Sequence, residues 1–133
     1  MQARVLAIVL CGSVAVAAAA VAAAPQGNPE AAKLKNPVPA NAESLAAGEM
    51  LYRRRCAGCH GVDAQGGPPK DAADPPAANL VDDTWDHGST DGEIYTIIQE
   101  GIGPAYRMEP FGDRLSATDT WNIINYVRSL AKK

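Results

Sequence analysis

Cys56, Ala57, Gly58, Cys59 and His60 stand in a row. Thiols at i and i+3 lie on one helical turn. Each can add across a vinyl group of haem, and the imidazole after the second reaches the iron from the same side. The pattern reads as a c-type haem attachment site. A bare Cys-x-x-Cys also suits zinc, thiol exchange or a disulfide, but none of those requires a His directly after the second thiol. If the iron carries electrons it needs a second strong axial ligand, and beyond His60 the chain offers one Met and one other His.

Met108 is the stronger candidate. It sits in the stretch Gly101 to Gly112, whose three glycines and two prolines rule out helix and mark a loop across a surface. Such a loop can lay a thioether on the open side of the haem, which makes His60 and Met108 the expected axial ligands of the iron. Met50 lies on the near side of the Cys pair inside a helical pattern, and is expected to be core filler. His87 is the competing ligand, but it falls among Trp85, Asp86, Gly88 and Ser89, where a solvated turn is expected. Trp85 can either donate its indole N–H to a haem propionate or serve as a core aromatic.

Three helices must position these residues. Asn41 can cap the first, with Glu43 in its first turn, Leu45, Gly48, Leu51 and Tyr52 at three- and four-residue spacing, and Arg53, Arg54 and Arg55 where the macrodipole favours cations. From Gly61 to Asp83 four prolines (Pro68, Pro69, Pro75, Pro76) and paired glycines predict an irregular wrapping loop. Thr90 to Glu93 is a capping box, followed by Ile94, Ile97 and Ile98 and a stop at Gly101. Ser116 caps the last helix, with Asp119 in its first turn and a stripe of Trp121, Ile124, Val127 and Leu130. No stretch alternates with period two, so the fold class is all-α.

From about Asn41 to Leu130 the chain resembles the small single-haem cytochromes c of bacteria, the class with His and Met ligation. The resemblance rests on the Cys56–His60 motif and on Met108 in a loop before the final helix. It implies a cytochrome c-like fold, three to five short helices wrapped around one covalent haem c and its iron. In that family the ligand Met is usually followed at once by proline and then by an aromatic. Here Glu109 replaces the first proline, while Pro110 and Phe111 fit. The resemblance further implies that Gly48 meets an aromatic of the last helix, Tyr126 or Trp121. It also implies that a proline carbonyl, of Pro68 or Pro69, fixes the His60 ring.

The start of the chain gives its compartment. Arg4, an apolar run from Val5 to Val21 and the small residues Ala22 to Ala24 read as a secretory signal over residues 1–24. An uncleaved anchor is the alternative, and is the only route by which a membrane would be a partner. Residues 25–40, with Pro25, Pro29, Pro37 and Pro39, read as a disordered leader or linker, and residues 41–133 as the cytochrome domain. Without residues 1–24 only Cys56 and Cys59 remain as thiols, so a small extracytoplasmic, periplasmic domain would rely on haem rather than a disulfide framework for its core. The formal charge of −3 argues against nucleic acid.

The function expected is transfer of single electrons between extracytoplasmic redox proteins, a dehydrogenase or an oxidase or reductase being the kind of partner. No carboxylate pair or nucleophile–base pattern stands out, so the chain is expected not to be an enzyme. Two alternatives stay open: a haem sensor or peroxidase-like protein if Met108 does not hold the iron, and a cytochrome subunit dedicated to a periplasmic dehydrogenase.

Overall fold

The computed structural model describes residues 26–69, 71–105 and 107–131, and the signal segment expected at 1–24 lies outside them. Its helices are α1 (Ala42–Arg55), α2 (Ala57–His60), α3 (Asp91–Glu100) and α4 (Ala117–Ala131). No strand occurs among the described residues, only an isolated antiparallel bridge between Gly67 and Ala77 in the proline-rich loop. The all-α expectation holds. No described helix is long and apolar enough to cross a membrane.

The three long helices, α1, α3 and α4, start where a cap residue satisfies one of the first free amides. The Asn41 carboxamide accepts from the Ser44 amide at 2.9 Å, the Thr90–Glu93 box is closed in both directions, and Ser116 and Asp119 make the same reciprocal pair ahead of α4. The terminal helices α1 and α4 pack on each other, and the reason lies at Gly48. A Cβ there would run into the Asn122 carbonyl and lie 2.9 Å from the Tyr126 Cβ. The aromatic that crosses Gly48 is therefore Tyr126, which also meets Tyr52 with ring centroids 5.5 Å apart. Trp121 instead stacks on Tyr95 of α3 at 4.3 Å. With α1 on one side and α3 on another, α4 is buried from Thr120 to Val127 without a break, broader than the single stripe expected from its sequence.

Two expectations are corrected. Met50 is not core filler: it is 53% exposed on the outer face of α1. The described part of the leader is not a free tether. It forms a turn of 3-10 helix at Ala31–Lys33 with Ala31 buried, and a Cβ on Gly92 of α3 would collide with the Ala31 carbonyl. The Asn28 amide donates to Glu93 Oε1 at 2.8 Å, the Asn36 carboxamide donates to Asn125 Oδ1 at 2.8 Å, and Asn125 donates back to the Val38 carbonyl at 3.0 Å. Prolines broke the helical pattern of this segment, but its asparagines satisfy polar groups on α3 and α4, so it packs as a strap.

Glu93 is the hub of that strap and is only 6% exposed. The Thr90 amide, the Thr90 hydroxyl and the Asn28 amide all donate to its carboxylate. These bonds, the Thr90 amide foremost, hold its pKa below the usual carboxylate value. A depressed native pKa adds stability above the ordinary carboxylate range, and that stability is lost as pH falls through the lowered native value. Glu93→Gln is accordingly expected to cost about 1–2 kcal/mol in urea unfolding at neutral pH. The deficit should shrink toward zero in acid. A deficit of equal size at both pH values would contradict this account.

Candidate haem-binding site

Tyr52 sets the position of the attachment turn. It is fully buried at the end of α1, and its hydroxyl donates to the Gly61 carbonyl at 2.8 Å, just past the motif. Burial drives its pKa upward, with Cys56 adding to the effect, so the phenol stays a donor. Between these two points the chain closes one helical turn: the Cys59 and His60 amides both donate to the Cys56 carbonyl, at 3.1 and 2.9 Å. Cys56 is half-buried, Cys59 is exposed, and both are free thiols. Burial, with a smaller contribution from Cys59, pushes the Cys56 thiol up to about 11. A thiol exchange catalyst needs the opposite shift.

His60 is held by the long loop. Its Nδ1 donates to the Ala78 carbonyl at 2.9 Å, which fixes the ring and its tautomer and leaves Nε2 as the coordinating nitrogen. The expected Pro68 or Pro69 carbonyl is not the partner. The loop reaches Ala78 through the Gly67–Ala77 bridge and a bond from the Leu80 amide to the Ala64 carbonyl at 2.8 Å, so the prolines lie outside the return that faces His60. Gly67 itself passes so close to the Cys59 carbonyl that a side chain would not fit. A backbone carbonyl on Ala carries no signature in sequence, and so Ala78 was not foreseeable.

Met108 lies in the loop joining α3 to α4, half-buried against the apolar core, as are Cys56, Leu80, Val81 and Tyr95. The loop is pinned on both sides of it: the Ile102 amide donates to the Met108 carbonyl, and the Phe111 amide to the Ile98 carbonyl, each at 2.9 Å. Phe111 and Leu115 then enter the core. Trp85 is also half-buried, but its indole donates to the Asp82 carbonyl at 3.1 Å, so the expected role as a propionate donor is not the bond it makes. His87 is exposed.

These residues fit haem c. Two free thiols on one turn, an imidazole with Nε2 left over and a thioether bordering the same core suit a porphyrin iron. The half-buried Leu80, Val81 and Tyr95 offer apolar surface of the kind a macrocycle covers. Among the described residues no three His, Cys, Asp or Glu side chains converge in the manner of a zinc site. A surface hollow lined by Asp83, Trp85, Asp86 and Glu93 includes none of Cys56, Cys59, His60 and Met108, and its carboxylates do not suit an apolar ring.

Residues 43–127 match the family described as Cytochrome C oxidase, cbb3-type, subunit III. Among similar proteins, the Cbb3-type cytochrome c oxidase subunit FixP of Sinorhizobium medicae is 33% identical over 96 residues, covering 67% of this chain and 31% of that protein. The subunit CcoP of Rubrivivax gelatinosus is 36% identical over 93 residues, covering 67% and 27%. The FixP subunit of Azorhizobium caulinodans is 38% identical over 92 residues, covering 65% and 29%. The chain thus spans less than a third of the length of each of these relatives. Their names correct one expectation. They are subunits of an oxidase, an enzyme complex, and this overturns the expectation that the chain is not an enzyme.

Proposed function

The chain belongs to the cytochrome c family of the cbb3-type oxidase subunit III, and from that membership we propose that it passes single electrons toward a terminal oxidase outside the cytoplasm. It carries covalently bound haem c and transfers electrons through it. Bound haem supplies an iron that takes up and releases one electron at a time. In our reading Cys56 and Cys59 would hold the macrocycle by thioethers, and His60 and Met108 would hold the iron.

The chain's own residues then keep the change of charge cheap. The Ala78 carbonyl accepts from His60 Nδ1 and holds the ring, so Nε2 would be presented to a bound iron in one orientation. The backbone bonds at Ile102 and Phe111 fix the Met108 loop against α3 in the same way. Ligands that scarcely move between the two redox states suit a carrier, and the Met thioether favours the reduced one. The observation that carries the proposal is this pairing of a carbonyl-oriented His60 with a pinned Met108 loop beside the same core as Cys56.

Met108→Ala tests it. The variant is expected to lose the weak near-infrared sulfur-to-iron absorption of the oxidised protein, to fall in reduction potential and to bind carbon monoxide rapidly when reduced. His87→Ala should do none of these. Rapid stoichiometric carbon monoxide binding by the reduced wild type would overturn electron carriage through a Met108-ligated iron.

A further inference from the structure

Where the resembling cytochromes have a proline directly after the ligand Met, this chain has Glu109. One side chain holds the segment that follows Met108. Arg114 donates from Nη2 to the Pro110 carbonyl, lies 3.2 Å from Glu109 Oε2, and places its guanidinium carbon 4.4 Å from the centre of the Phe111 ring. The three residues that follow Met108 are therefore all in contact with one cation. A further contact at 3.4 Å joins Arg114 Nε to Asp113 Oδ1.

The base of that side chain is rigid. The Arg114 amide donates to the Phe111 carbonyl at 2.9 Å, its neighbour Leu115 is buried, and the Ser116–Asp119 pair starts α4 directly afterwards. The ion pair with Glu109 is exposed and adds little alone. The charge-assisted bond to a carbonyl and the cation over the Phe111 ring carry the hold. On the other side the Ile102 amide already pins the Met108 carbonyl.

We propose that Arg114 is a positioning residue for the Met108 thioether: it ties Glu109, Pro110 and Phe111 to the base of α4 and so keeps the sulfur at the iron. This rests on the Met108 ligation proposed above. A lysine at 114 would keep the charge and a single bond but lose the fork and the flat stacking face, so it should hold the loop only in part.

The test compares haem-loaded wild type, Arg114→Ala, Arg114→Lys and Lys33→Ala. Lys33 also forms an exposed ion pair, with Glu30 at 2.6 Å, remote in sequence from the loop, and controls for loss of charge. The readouts are the rate of carbon monoxide binding to the reduced protein, the near-infrared sulfur-to-iron absorption and amide exchange at Phe111. Arg114→Ala is expected to bind carbon monoxide about tenfold faster or more, as loss of one charge-assisted bond from a locally opening loop gives. Its absorption should weaken and its Phe111 amide exchange faster, with Arg114→Lys between it and wild type and Lys33→Ala unchanged. If Arg114→Ala matches Lys33→Ala in all three, the clamp is wrong while Met108 ligation stands. If the wild type lacks the sulfur-to-iron absorption, ligation itself fails and the clamp with it. If Arg114→Ala yields no loaded protein, Arg114→Lys decides by the same rate and amide: faster supports the clamp, unchanged overturns it.

Discussion

Replacing both Cys56 and Cys59 by alanine is expected to abolish covalent haem altogether. The two thiols sit on one turn, held by the amides that donate to the Cys56 carbonyl, and no other cysteine lies in the described residues. Each single replacement should leave one thioether at most. The effect should extend beyond the cofactor, because a domain of this size buries little apolar surface by itself and a bound macrocycle would supply part of its core. The check is denaturing electrophoresis with haem staining beside circular dichroism. Haem retained through denaturation in the double variant at wild-type yield would defeat the attachment reading.

The second large effect is expected at Gly48, and its sign is opposite to the usual one. In an exposed helix interior, Gly→Ala gains about 1 kcal/mol. At Gly48 the added Cβ meets the Asn122 carbonyl and the Tyr126 Cβ, parts of α4 that cannot swing aside. The α1–α4 crossing would have to open, disturbing the buried bond from Ser44 to Asn122 at 2.7 Å and that from Asn125 to Ser44 at 2.9 Å. Gly48→Ala is expected to lose about 3 kcal/mol, a large share of the roughly 5–15 kcal/mol of a typical domain. Denaturant unfolding of the haem-loaded protein measures it. A variant as stable as wild type would show that α1 and α4 do not cross so closely.

What the sequence disclosed and what it hid divide along a physical line. The Cys56–His60 motif and the caps at Asn41, Thr90 and Ser116 are local: each is complete within a few residues, so its chemistry is visible in the order of side chains. The partner of His60 is a backbone carbonyl eighteen residues away, set by how the loop folds back through Gly67 and Ala77, and side-chain identity at Ala78 says nothing of it. Tyr126 and Trp121 were equal candidates for Gly48 because both lie on α4. Only the placement of α3, which draws Trp121 onto Tyr95, separates them. The leader misled for a related reason. Its prolines exclude a long α-helix, yet that does not mean absence of packing, and the long-range bonds of Asn28 and Asn36 have no periodic signature. Arg114 likewise sits in a polar turn that resembles many others, and its grip on the residues after Met108 emerges only when the turn closes.

The docked strap also limits the reach of the domain. A disordered stretch from residue 26 to 40 could extend about 50 Å, letting the cytochrome search a wide volume around any point that held it from upstream. With Asn28 bonded to Glu93 and Asn36 to Asn125, that slack is withdrawn, and the leash would begin instead at the face of α3. A shorter leash raises the local concentration of the domain at whatever lies nearby and narrows the set of orientations it presents.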